Sequence, residues 1–142
     1  MRVRNFTALI PSFGLFALAL GCGPRLPYFP PEVHHIKKAW SLCGAYKANH
    51  DGKVPKDIEA VKKWAIQEGK ATEEDFISPR DKQLYQAQFT PPPMGFILVY
   101  EQTGENGKRL VVNQGGSAVE VNEDEFKTLV KSMPKPRKDK KG

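Results

Sequence analysis

Residues 96–121 contain Phe96-Ile97-Leu98-Val99-Tyr100, the turn Gly104-Glu105-Asn106-Gly107, then Leu110-Val111-Val112, Gly115-Gly116 and Ala118-Val119-Glu120-Val121. Short runs of β-branched and aromatic residues between glycine-bearing turns predict strands. Asn106-Gly107 between two such runs is a hairpin signal, because both turn positions favour positive φ. The stretch predicts an antiparallel sheet of about three strands. Asn122, with Glu125 three residues on, forms a capping-box pattern that starts a closing helix. Phe126, Leu129, Val130 and Met133 supply its apolar face.

Upstream the period changes. Over residues 32–48, Val33, Ile36, Trp40, Cys43 and Tyr46 or Lys47 recur at three and four, one stripe of a helix. Asn49-His50-Asp51-Gly52 reads as a turn. Pro55 is expected at the start of a second helix over about 56–68, where its missing donor costs nothing. Ile58, Val61 and Trp64-Ala65 give that helix its buried face, and Gly69 is its expected C-terminal cap. Thr72-Glu73-Glu74-Asp75 is expected to cap one short turn, residues 76–81 to form an extended segment and a turn, and Pro91-Pro92-Pro93 to be a stiff connector. The pattern is α+β: two N-terminal helices, a small antiparallel sheet of about three strands, and one C-terminal helix. Trp40, Trp64, Phe96 and Phe126 are expected to be the largest core contributors.

The N-terminus reads differently. Arg2 and Arg4 precede an apolar stretch from Phe6 to Leu20, about fifteen residues against the roughly 20 needed to span a membrane. This fits a signal peptide over 1–21. The stretch closes on Leu18-Ala19-Leu20-Gly21-Cys22-Gly23, which resembles the lipobox of bacterial lipoproteins. Ala19 stands where that family most often has leucine. The resemblance implies an acylated Cys22, which would anchor the chain without a spanning helix, since stable anchoring takes more than one acyl chain. An ordinary secretory signal cut near Gly21 or Gly23 is the alternative. Gly23 lacks the family's Asp retention signal, which implies the outer membrane where the cell has one, facing the periplasm. Residues 22–31 follow as a tether with four prolines in the nine residues from Gly23.

Charge needs mapping before it is interpreted. The chain of 142 residues has 22 Lys+Arg, 16 Asp+Glu and a formal net charge of +6. The excess sits at the ends: Arg2 and Arg4, and the tail 134–142 with Lys135, Arg137, Lys138, Lys140 and Lys141 against Asp139. The body between them carries as many bases as acids, and no nucleic-acid-binding motif accompanies it, so nucleic-acid binding is excluded as the main reading. The tail is expected to be disordered, as a solubilising segment or one that touches anionic headgroups.

Catalytic and metal-binding patterns are not found. His34 and His35 are adjacent and point apart on a helix, while His50 falls in the turn, so exposed surface histidines are expected rather than a metal site. Asn49-x-Asp51-Gly52 lacks the further acids of a calcium loop. Cys43, on the apolar stripe, reads as a buried hydrophobe, with pairing between chains as the alternative. No nucleophile motif is present, and Glu73-Glu74-Asp75 and Glu123-Asp124-Glu125 are expected to act as helix-start acids. No catalytic, metal or cofactor residue is assigned.

The order of several short motifs resembles bacterial type II secretion pseudopilin-like proteins. They are Ala45-Tyr46 with His50-Asp51-Gly52 and Pro55, Ser78-Pro79-Arg80-Asp81, Val99-Tyr100-Glu101, Arg109-Leu110-Val111-Val112, Gly116-Ser117-Ala118-Val119-Glu120-Val121 and Glu123-Asp124-Glu125-Phe126. The resemblance covers roughly 35–131. The family's prepilin cleavage site and early helical Glu are replaced here by the lipoprotein-like signal, and its Asp-Gly turn by Gly115-Gly116. The resemblance implies a pseudopilin-like head over 32–133 on a lipid anchor: a non-enzymatic envelope protein that contacts other envelope proteins, with a link to a secretion or pilus-like assembly. The alternative is a small-ligand- or ion-binding envelope lipoprotein, with its site on the sheet face or in 72–93.

Overall fold

The computed structural model describes residues 30–90 and 95–133. Cys22, the tether before Pro30, the Pro91–Pro93 connector and the basic tail lie outside the described residues.

The fold is α+β. Helices α1 (Pro31–Asn49) and α2 (Ile58–Gln67) come first, followed by a 3-10 turn over Glu73–Phe76. Strands β1 (Gln86–Phe89), β2 (Ile97–Tyr100), β3 (Lys108–Val112) and β4 (Ala118–Asn122) then form an antiparallel sheet in chain order, and α3 (Glu123–Ser132) closes the domain. Alternation in the strands sorts side chains onto two faces. Ala87, Phe89, Ile97, Val99, Leu110 and Val112 face α1 and α2, where Val33, Ile36, Ala39, Cys43, Val61 and Phe76 complete the main core. Leu98, Tyr100, Val111 and Val121 face α3, against Phe126, Leu129, Val130 and Met133.

Several expectations hold in detail. Asn106 and Gly107 both take positive φ, and Glu105 and Lys108 exchange backbone hydrogen bonds across them. Asn122 accepts from the Asp124 and Glu125 amides, and the Glu125 carboxylate accepts from the Asn122 amide. Asp75 caps the 3-10 turn, its Oδ2 accepting from the Thr72 amide at 2.8 Å and from the Thr72 hydroxyl at 3.2 Å. Gly69, at φ 64, ends α2, with the Lys70 amide donating to Ala65 O. Two further glycines are required by the space around them. A Cβ on Gly104 would strike the Lys108 carbonyl, and one on Gly116, at φ +74, would sit 3.2 Å from the Trp40 ring.

Four expectations are corrected. The sheet has four strands, because Gln86-Ala87-Gln88-Phe89 pairs with β2 despite lacking β-branched residues. Tyr85, Ala87 and Phe89 alternate toward the core, and tertiary packing outweighs the poor propensity. Helix α2 begins at Ile58, capped by Asp57 accepting from the Ala60 amide at 2.9 Å; Pro55, itself buried, lies three residues ahead of it. The two tryptophans, Phe96 and Phe126 are half-buried, whereas Tyr85, Phe76, Ile36 and Glu101 are the largest fully enclosed side chains. Trp40 sits at the core margin, where its indole N–H donates to Ile97 O at 3.3 Å, and the Arg109 guanidinium covers Phe126 at 4.5 Å. His35, finally, is half-buried with Nδ1 shut from solvent, rather than exposed like His34.

Candidate functional site

Charged and polar chemistry concentrates where the turn after the 3-10 segment meets the β2–β3 end of the sheet. The period of two along β2 places Glu101 in phase with Ile97 and Val99, on the core side. Glu101 is fully buried. Its Oε1 accepts from the Ser78 hydroxyl at 2.7 Å and its Oε2 from the Leu110 amide at 2.7 Å. The carboxylate thereby stands in for a strand carbonyl just past the last β2–β3 pair. Ser78, also fully buried, accepts in turn from the Arg80 amide at 3.1 Å and so fixes the turn. Tyr85 lies beside them. Its hydroxyl is shut from solvent and approaches Ser78 too loosely for a hydrogen bond; burial, and then the Glu101 charge, raise its pKa above the ordinary phenol value.

Arg80 carries this network to the surface. Its guanidinium lies 2.8 Å from Glu120, 3.6 Å from Glu105 and 3.7 Å from Glu101, and it donates to the Lys108 carbonyl at 3.3 Å. The neighbouring Asp81 turns the other way. Its Oδ2 accepts from the Thr103 and Gly104 amides, each at 3.0 Å, tying the turn to the chain after β2. Burial alone would raise the Asp81 pKa, but these N–H donors, with that of Gln83, outweigh it and hold the carboxyl below the usual range. A carboxyl whose folded pKa is depressed contributes stability above its unfolded value, about 3.9, and loses it as pH falls through the folded value. The wild type is therefore expected to lose stability below about pH 4 more steeply than Asp81→Asn, as read by denaturant unfolding across an acid pH series.

Above Arg80 opens a cleft of about 530 Å³, between the first turn of α1 and the β3–β4 end of the sheet. Val33, Leu110 and Ala118 give it apolar ground, and Glu32, Glu105, Glu120, Lys108 and Arg80 line its sides. At the other end of the sheet, Phe96, Ile97, Leu98, Leu129 and Met133 border an apolar groove of about 240 Å³.

The remaining sequence candidates are dispersed. His50 caps the end of α1, with Nδ1 2.7 Å from Tyr46 O and its ring stacked on Tyr46 at 3.8 Å. No cluster of His, Cys, Asp or Glu among the described residues could hold a metal, and no helix among them is long and apolar enough to cross a membrane. Cys43 is fully buried, so pairing with another chain through it is ruled out in the folded domain; burial pushes its thiol up to about 12. Labelling of native Cys43 by a thiol reagent near neutral pH is expected to be at least about a hundredfold slower than that of an exposed thiol, rising to the ordinary rate on unfolding. Of segment 72–93, Arg80 reaches the cleft, whereas Phe76, Ser78 and Tyr85 are enclosed.

The chain matches no protein-family model, no curated protein and no solved structure. The site must therefore be judged on its own chemistry. Ser78 and Glu101 are inaccessible to any substrate and serve to join the turn to the sheet. Among the described residues, a charged cleft opens at one end of the sheet and an apolar groove at the other. Sequence reasoning missed Glu101 as a structural centre, although its phase with Ile97 and Val99 marks it as an acid on a buried face.

Proposed function

We propose that the chain is a lipid-anchored cell-envelope protein, held by acylated Cys22, whose α+β head is a non-enzymatic protein-interaction module. The observation that carries this reading is the order of features in the sequence: a charged start, a short apolar run ending in Gly21-Cys22, a proline-rich tether, then one small domain. The arrangement of the head supports it. Its best-placed polar groups, Ser78, Asp81 and Glu101, are consumed in linking elements. The residues behind the pseudopilin-like resemblance also interconnect: Ser78 donates to Glu101 at 2.7 Å, Arg109 pairs with Glu123 at 2.6 Å, and Tyr100 packs on Phe126 at 4.9 Å. That is the behaviour expected of motifs that maintain a head fold. We place the protein at the outer membrane, facing the periplasm.

In-cell crosslinking of the tagged full-length chain, with mass spectrometry of what co-purifies, tests this reading. Recovery of components of one envelope assembly is the expected result. Recovery of abundant envelope proteins alone, in the same proportions as from an unrelated lipoprotein, contradicts it.

A further inference from the structure

The cleft above Arg80 has an unmatched charge. Four carboxylates surround it or lie beneath it, those of Glu32, Glu101, Glu105 and Glu120, against the two cations Arg80 and Lys108. Arg80 is shared among Glu101, Glu105 and Glu120, and Lys108 lies 3.8 Å from Glu120, so the two cations are divided among more carboxylates than they can neutralise. Glu32 Oε2 is shut from solvent and has no hydrogen-bond partner among the described residues. A buried acceptor left unsatisfied is destabilising, the more so when it is charged, so a donor arriving there would be favoured. Between the carboxylates lies the apolar ground of Val33, Leu110 and Ala118. The occupant that suits this combination is an extended apolar segment bearing one cation.

The chain supplies such a segment at the cleft's own edge. Pro30 lines the cleft and is the first described residue. The six residues before it are Pro24-Arg25-Leu26-Pro27-Tyr28-Phe29, with three large apolar side chains, one arginine and no acid. Two prolines fix φ near −65° and so lower the entropy lost when the segment is ordered. Its attachment at Pro30 makes docking intramolecular, at an effective concentration in the millimolar range, which no separate partner matches without comparable affinity.

We propose that the cleft is the seat of the chain's own tether: Leu26, Tyr28 and Phe29 pack on Val33, Leu110 and Ala118, and Arg25 meets Glu32 and Glu105. The docking does not depend on acylation of Cys22. Its consequence does rest on the anchored reading: the eight residues 23–30, if fully extended, would span about 25 Å from a bilayer, and docking draws the head toward it. A partner that competes for the cleft would release the head outward.

Photo-crosslinking in cells tests this with the full chain. Tyr28 is replaced by p-benzoylphenylalanine, the cells are irradiated, and the adducts are mapped by peptide mass spectrometry. An intrachain adduct on residues 105–120 is expected, lost about tenfold when Glu105, exposed on the rim, becomes Glu105→Lys. Adducts on lipid, adducts on another protein, or no adduct at all would overturn the proposal. Trypsin gives a second readout that needs no change at Tyr28. Cleavage after Arg25 should be about tenfold slower in the wild type than in Glu105→Lys if about a tenth of the molecules are undocked, since proteolysis follows the open population; equal rates would count against docking. Both readouts stand whether or not Cys22 carries lipid, so their failure leaves the anchor question separate.

Discussion

Glu101→Ala is expected to destabilise the domain by about 3–5 kcal/mol, the cost of breaking a buried charged pair by removing one partner. The loss has three parts. The Leu110 amide loses its 2.7 Å acceptor at a place where no strand carbonyl replaces it, and the Ser78 hydroxyl loses its own. Arg80, whose side chain is 11% exposed, keeps Glu120 and Glu105 but loses the carboxylate beneath it. Glu101→Gln preserves the volume and one acceptor, and is expected to cost less, about 1–3 kcal/mol. Urea unfolding of the two variants beside the wild type checks the order. An alanine variant as stable as the wild type would mean that the carboxylate is not the joint between turn and sheet.

The second large effect is expected at Phe76, where alanine should cost about 3–5 kcal/mol through lost burial and the cavity left behind. Phe76 is fully buried, and it closes the 3-10 turn beneath α1 and α2. Its backbone carbonyl also accepts from the Tyr85 amide at 2.9 Å, which brings Tyr85 into the core ahead of β1. The space it vacates lies among Ile36, Val61 and other side chains held by helices on two sides, so little collapse is available. Phe76→Leu retains most of the volume and is expected to cost well under half as much. Thermal unfolding of both variants checks this. If the two substitutions lower the midpoint equally, the cavity is not the cause.

The fold was legible where local and tertiary preferences agree. Asn106-Gly107 fixes a turn that demands positive φ at two successive residues, so sequence names both the turn and the strands it joins. Asn122 and Glu125 carry the start of α3 in the same local way. Strand β1 was not legible on the same terms. Gln86, Ala87 and Gln88 have poor strand propensity, and what holds them is pairing with Tyr100, Val99 and Leu98 in a strand separated from them by a proline-rich connector. The core was misjudged by size. Large rings with a polar N–H or a cation over one face, Trp40 and Phe126, settle at margins, and the enclosed positions go to Phe76 and Tyr85 in a segment with little periodicity.

The candidate site shows the same division. Asp81 and Arg80 stand out in sequence only as letters of a turn, because their distant partners lie about twenty to forty residues away, in the segment after β2 and in β3 and β4. Glu101 could have been found, since two-residue alternation from Ile97 carries an acid onto the core face and a buried acid requires donors. The cleft beside Pro30 could not, because it exists only once α1 crosses the β3–β4 end of the sheet.

The proposed lipid on Cys22 would carry this head on a membrane. Intact-mass spectrometry of the full chain extracted from the cell envelope tests it most directly. A polypeptide that begins at Cys22 and is heavier than its residues by the mass of several acyl groups is the expected result. A chain that begins at Gly23 or beyond, or one that retains residues 1–21 with no added mass, would contradict it.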